Sequence, residues 1–405
     1  MISVYPKGVQ EVLLGGTNLD AFGRLRVSNP VTLFDSQNRF NKDPQFDESL
    51  TGSATSTYLS NESAVQLAVT TASGDKAVRQ TYRVFPYQPG KSLLVLCTFA
   101  MAAGGSGLQQ RVGYFNTNNG VFFQQKDDEL SFVVRTYTGG SASDARTVAQ
   151  SSWNGDKLDG TGPSGITLDE TKTQILFMDF EWLGVGSVRC GFIIDGQFIV
   201  AHTFDNANSQ SAVYMQTAIL PVRYEIEALS SLLAGASMKQ ICSSVICEGG
   251  YNQISAEQIA RRTSAFASIG TTFEPIVSIR IASDSLGAVI IPNQMLVLPT
   301  SNGNYEVALI KNGTLTNASW DTSTFTHVDY DVTADAISGG TIMQLSYATA
   351  SNQSKAESRP DLGYNLNLQL GVSLAGTSDI YTVAVRTLSG SGDAIGSLSF
   401  YNLTL

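Results

Sequence analysis

The residues best suited to chemistry lie in one apolar run, QILFMDFEW (Gln174–Trp182), where Asp179 and Glu181 occupy alternate positions. On a strand, residues two apart share a face. Paired carboxylates split glycosidic bonds, one on each side of the bond. The position two residues earlier, which would extend the acidic row, is Phe177. The plainer expectation is a strand face whose carboxylates meet water or an arginine, such as Arg189.

Other constellations are incomplete. Arg223, Glu225 and Glu227 share one strand face opposite Val222, Tyr224 and Ile226, a pattern that suits a cross-strand-paired or solvated face better than a catalytic pair. The two histidines, His202 and His327, fall far apart, which argues against a two-histidine metal site or a Ser-His-Asp triad. Asn154, Asp156 and Asp159 invite a cation, but position 158 is leucine and breaks the 1-3-5 oxygen spacing of a calcium loop. Trp153 and Trp320 sit among polar residues, as sugar-stacking aromatics do, although an edge or interface role is the favoured expectation. No phosphate-binding or dinucleotide fingerprint is present. The expectation is no catalytic residue, no cofactor and no metal.

The elements that must position these residues are strands. Charged residues make up only 15% of the 405 residues, against 42% hydrophobic, and Ser, Thr, Asn, Gln and Gly fill the difference. A neutral polar surface of that kind suits hydrogen bonding to other protein. The net charge of −10, with no basic run, argues against nucleic acid as a direct partner. No apolar stretch approaches the ~20 residues of a membrane-spanning helix, and residues 1–20 lack a secretory pattern. The spacing of Cys97, Cys190, Cys242 and Cys247 suggests neither zinc nor a disulfide framework, so synthesis in a reducing compartment is expected.

Strand-like runs separated by turns dominate, at Ser92–Met101, Arg111–Gln124, Leu130–Tyr137, Gln174–Trp182, Ala212–Glu227 and Cys242–Ile246. The clearest hairpin is Val188–Phe204, with Asp195-Gly196 as a type I′ turn. Pairing outward sets Phe192 against Ile199, Cys190 against Ala201, Ile193 against Phe198 and Arg189 against His202. Both faces are apolar, which predicts cover on both sides. Trp153–Gly165 reads as a surface loop. The fold class expected is all-β: a two-sheet jelly-roll (concanavalin-like) sandwich at 46–253, with an N-terminal arm, a short linker helix and a second, smaller β domain at 270–405.

The helix is predicted at Ala256–Ala267, within a linker spanning 254–269. Ser255 and Gln258 form a capping box, Ile254 can staple onto Ile259, and Glu257 pairs with Arg261. Residues 1–45 read as an extended arm too poor in apolar runs to fold alone. Within it, Arg24 and Arg26 alternate with Leu25 and Val27 after Phe22. These five residues are the candidates for assembly contacts: the arginines toward carboxylates, Phe22, Leu25 and Val27 toward an apolar groove. A first strand of the jelly roll that stays on its own chain is the alternative.

Four strings, DAFGRLRVSNPVTLFDSQ (20–37), RVGYFNTNNGVFF (111–123), DFEWLGVGSVRCGFIIDG (179–196) and LPVRYEIEA (220–228), resemble a set of uncharacterised structural proteins of tailed bacteriophages and some large DNA viruses. The resemblance runs from about residue 18 to about 265. It implies a virion component made in the host cytoplasm, with other virion proteins (major capsid, portal-proximal or tail) as partners. The Asp179-x-Glu181 strand also resembles the E-x-D-x-E motif of laminarinase-type glycosidases, but Phe177 stands where that motif has its nucleophile. The leading expectation is a capsid-associated decoration or cement, collar or fibre-base protein that assembles as a homo-oligomer. The alternative is a tail-located adhesin that binds host glycan.

Overall fold

The computed structural model describes residues 29–404 apart from 253, 254, 358, 359, 363 and 364. Phe22, Arg24, Leu25, Arg26 and Val27 lie outside the described residues. The chain is all-β: every named strand pair is antiparallel, and among the described residues the named helical segments are short 3-10 turns, Gln150–Ser152 and Leu366–Leu368.

The body is a two-sheet jelly-roll sandwich. Its eight-stranded sheet runs Gln197–Phe204, Val188–Ile194, Gln174–Phe180, Leu93–Ala100, Ala236–Cys247, Ala64–Val69 and Thr55–Leu59, and Val31–Gln37 adds onto Ala236–Cys247. The seven-stranded sheet runs Ser143–Ala149, Glu129–Thr136, Gly120–Lys126, Leu108–Phe115, Val222–Ala228, Lys76–Thr81 and Phe46–Thr51. Alternate residues of each strand meet between the sheets. Phe99 and Phe192 of the first sheet pack on Phe123 of the second, with ring centroids 5.9 and 5.2 Å apart.

A second core gathers around Ile276, Met295, Val307, Val383 and Leu398. It lies between a three-stranded sheet (Glu257–Ile269, Gly392–Asn402, Ile290–Pro299) and a six-stranded sheet centred on Glu274–Ile281, Ile380–Thr387 and Gly303–Lys311. Residues 366–374 tie this unit to the body. Arg83 donates to the Leu366 carbonyl (2.7 Å), Gln369 to that of Val84 (2.8 Å), and the Val372 amide to that of Tyr82 (2.8 Å).

Two expectations are corrected. The predicted helix at 254–269 is instead the strand Glu257–Ile269, paired with Gly392–Asn402. Its capping and i,i+4 signals are local and worth a few tenths to about 1 kcal/mol. They yield to a ladder with a partner more than a hundred residues away. The arm expected over 1–45 does not stay separate throughout: Val31–Gln37 is a body strand, with Val31 opposite Cys247.

The hairpin forms with Asp195 and Gly196 both at positive φ (51° and 76°), as a type I′ turn requires. Phe192 pairs with Ile199 and Ile193 with Phe198, as expected. Beyond Gly191 a bulge shifts the register, so Cys190 pairs with His202 and Arg189 with Thr203. The bulge lies where the 153–165 loop docks on the outer edge: the Gly155 and Asp156 amides donate to the carbonyls of Ala201 and Val200 (3.0 and 2.9 Å).

Candidate functional site

In Gln174–Phe180 the inward side chains Leu176, Met178 and Phe180 are core, which sends Ile175, Phe177 and Asp179 to the outer face of the eight-stranded sheet. Asp179 lies between Arg189 on one neighbouring strand and Leu94 on the other. Phe177 lies opposite Gly191, and the missing side chain there matters: a Cβ would come within 2.8 Å of the Phe177 ring. The ring therefore folds down over the glycine. Phe198, which remains 56% exposed, meets it edge-to-face at 5.1 Å.

These residues enclose a cup of about 220 Å³, walled by Leu94, Phe177, Phe198 and Val200 and rimmed by Asp179, Arg189 and Glu248. Asp179 is only 8% exposed and is ion-paired to Arg189. Glu248 accepts a hydrogen bond from Ser92 (2.9 Å). Glu181 falls after the strand ends, is exposed, and does not line the cup. The two candidate carboxylates are thus not brought together. What remains is an aromatic wall beside two carboxylates, Asp179 tied to Arg189 and Glu248 bonded by Ser92, which can accept hydrogen bonds from hydroxyl groups.

Arg223, Glu225 and Glu227 do share an outward face, on the seven-stranded sheet, and they are cross-strand paired as expected. That face is buried rather than solvated. Glu225 is 1% exposed and lies 3.1 Å from Lys76 and 3.3 Å from Arg111, with Arg223 also bonded to it. Burial pushes the Glu225 carboxyl up, but Arg223, Arg111 and Lys76 together outweigh it and hold it at about 2. The guanidiniums of Arg111 and Arg135 stack over Phe122, and that of Arg223 over Phe115. A carboxylate so saturated is a structural anion.

The remaining candidates are also structural. His202 is buried, accepts from the Asn154 amide (3.3 Å), and burial lowers its pKa. Asn154 mimics a strand, exchanging hydrogen bonds with the backbone of Thr203 (2.9 and 2.8 Å). Asp156 accepts from the amides of Leu158 and Ser164 (2.9 and 2.7 Å), which closes the loop. Among the described residues, no three His, Cys, Asp or Glu side chains converge on a metal-sized space. Trp153, expected at an edge or interface, is instead core: it is 2% exposed, packs on Phe132 at 4.8 Å, and donates its indole N–H to the Val148 carbonyl. Trp320 is half-buried beneath the Arg280 guanidinium at 4.2 Å. Burial raises the thiol of Cys97 to about 12 and that of Cys190 well above its ordinary range, so both are inert.

Sequence reasoning missed Phe198 and Glu248 as site residues. Phe198 was legible as the outward partner of Ile193, but nothing local showed that its ring would meet Phe177 two strands away. A wider concavity of about 630 Å³ lies between the two units, lined by Gln80, Tyr82, Asn116, Arg223, Asp284 and His327 among others.

No family model and no curated protein matches the chain. Among solved structures it is similar to a protein of unknown function from Shewanella oneidensis MR-1, at 9% identity and a TM-score of 0.35, over 61% of this chain and 100% of that one. It is also similar to the CBM2 module of the evolved Dit of Lactobacillus casei BL23 phage J-1, at 7% identity and a TM-score of 0.38, over 56% of this chain and 100% of that one. A third similar structure is arcelin-5, a lectin-like defense protein from Phaseolus vulgaris, at 11% identity and a TM-score of 0.33, over 55% of this chain and 99% of that one.

Proposed function

We propose that this chain is a non-catalytic, carbohydrate-binding component of a tailed-virus particle, an adhesin that holds host surface sugar on one face of its jelly roll. The observation that carries the reading is the cup beneath exposed Phe198, in which buried Asp179 is neutralised by Arg189. The reading is binding without turnover, because Phe177 cannot act as a nucleophile, Asp179 is tied to Arg189, and Glu181 lies outside the cup. The particle context is supported by the resemblance of the 20–37, 111–123, 179–196 and 220–228 strings to tailed-phage structural proteins. Retention of the purified chain on immobilised host-surface polysaccharide, with no release of reducing sugar, is the expected result. Failure to be retained on any such polysaccharide overturns the reading.

A second reading, a capsid-associated, collar or fibre-base building block without a ligand of its own, is favoured by the strand Thr341–Ala350. It exposes Ile342, Leu345 and Tyr347 to solvent, and its pairing to Lys355–Ala356 covers only Thr349 and Ala350. Apolar, uncharged edge strands are association sites. Its partners would be a second copy of the chain or a neighbouring virion protein. Leu345→Lys would then lower incorporation into particles while leaving polysaccharide retention intact. Normal incorporation of that variant removes the support.

A further inference from the structure

We infer that the cup beside Asp179 takes one terminal pyranose ring and selects against rings that carry a negative charge. This specifies the carbohydrate-binding reading and rests on it. The volume of about 220 Å³ is below the ~300–1,000 Å³ of pockets that enclose drug-sized ligands, so a single ring enters and a chain does not lie along it. Phe198 offers a flat, half-exposed apolar surface, and Phe177 holds that ring in place from beneath. A pyranose has the complementary form, with C–H groups on its faces and hydroxyls around its edge.

The polar rim decides which pyranose. Carboxylates only accept hydrogen bonds, and each offers about four acceptor sites. Asp179 spends part of that capacity on Arg189, and Glu248 spends part on Ser92. The Arg189 side chain is 58% exposed, which leaves guanidinium N–H groups directed to solvent at the rim. The rim thus carries two carboxylates and one guanidinium. Neutral sugar hydroxyls can donate to the acids and accept from the arginine. A uronic or sialic acid would bring a third carboxylate into the same small space, where like charges repel. A single ring making so few contacts binds weakly, with a dissociation constant on the order of millimolar.

The probes are methyl β-D-glucoside, methyl β-D-galactoside, N-acetylglucosamine and methyl β-D-glucuronide. Each is titrated into the full chain while the Arg189 side-chain N–H and the Phe198 amide are followed by NMR. At least one neutral probe is expected to shift both signals saturably, with the glucuronide weaker by about tenfold or more. Phe198→Ala should lose about tenfold in affinity, and Phe198→Tyr, which keeps the ring, should recover it. Equal binding of the glucuronide, or unchanged binding by Phe198→Ala, overturns the inference. Shifts confined to Tyr82 and His327 at the inter-unit concavity overturn the cup while leaving the carbohydrate reading intact. If no neutral probe shifts any residue and the chain is also not retained on polysaccharide, both fall.

Discussion

Asp179 and Arg189 stand directly opposite each other on adjacent antiparallel strands, the carboxylate almost wholly buried and the guanidinium more than half exposed. The pair is asymmetric. Arg189 can leave for water at small cost, whereas Asp179 cannot be left charged without it. Solvent around the arginine weakens the attraction between the two, so the pair contributes less than a fully buried one. Arg189→Ala is expected to destabilise the body by about 1–2 kcal/mol, and Asp179→Asn by less than about 1. Combining Asp179→Asn with Arg189→Ala should cost less than the sum of the two single changes. Urea midpoints of the three variants check this, and strict additivity would mean that Asp179 does not depend on Arg189.

The chain is expected to be catalytically silent toward β-glucans. Glu181 is exposed outside the cup, and Phe177 is fixed over Gly191. Release of reducing sugar by the purified chain, abolished by Glu181→Gln, would falsify this.

Glu225 gives a pH prediction with a definite sign. Its folded value of about 2 lies below its ordinary 4.5, so its contribution is fully present above pH 4.5 and is lost as the pH falls toward 2. Glu225→Gln leaves Arg223 without its carboxylate and Lys76 and Arg111 with only Glu227, and should cost up to roughly 3 kcal/mol near neutral pH. Urea midpoints of wild type and variant should converge as the pH drops below 4.5. A gap that stays constant from pH 7 to pH 2.5 contradicts the assignment.

The hairpin was legible because its information is local. Asp195-Gly196 needs two positive-φ residues, and alternation on either side supplies the faces. Pairings between distant segments left no such trace. Val31–Gln37 reads as an arm until Ala236–Cys247 is placed beside it, and Glu257–Ile269 carries helix signals that only Gly392–Asn402 overrules. Trp153 misled because its sequence neighbours are polar, while the loop that bears it folds its ring onto Phe132. In the cup, Asp179 and its arginine were readable from strand spacing. The Phe177–Phe198 contact was not, since it depends on a glycine between them.

Gly196 isolates backbone strain from packing. A Cβ there would meet nothing within 4 Å, so any cost of substitution comes from its φ of 76° alone. Gly196→Ala is therefore expected to cost about 1–2 kcal/mol, with the cup geometry unchanged. A thermal midpoint equal to that of wild type would show that the turn relaxes to another type.

Arg79 supports the last prediction, about the sandwich itself. Its side chain points between the two sheets, is 1% exposed, and bridges them by donating to Gln240 of the opposite sheet at 2.6 Å. Glu48 pairs with it at 2.5 Å, the Asp43 carbonyl accepts at 3.0 Å, and the guanidinium stacks over Phe46 at 4.8 Å. Each guanidinium nitrogen thus has a partner, which allows a charge to sit in a core. Arg79→Ala removes the cation, leaves Glu48 without that partner, strands the Gln240 carboxamide and opens a void, for an expected loss of roughly 3–5 kcal/mol. Arg79→Lys keeps the charge but loses the planar fork, so it cannot reach Glu48, Gln240 and the Asp43 carbonyl together, and it should recover only part of that loss. Arg79→Met with Glu48→Gln replaces the pair by groups of similar volume that carry no charge. The ion pair no longer has to be desolvated, but the Gln240 carboxamide and the Asp43 carbonyl still lose their donor, so this double variant should recover only part of the loss and lie about 2–3 kcal/mol below wild type. Denaturant unfolding of the four proteins decides the matter. If Arg79→Ala costs less than about 1 kcal/mol, the bridge is incidental and the sheets are held by apolar contact alone.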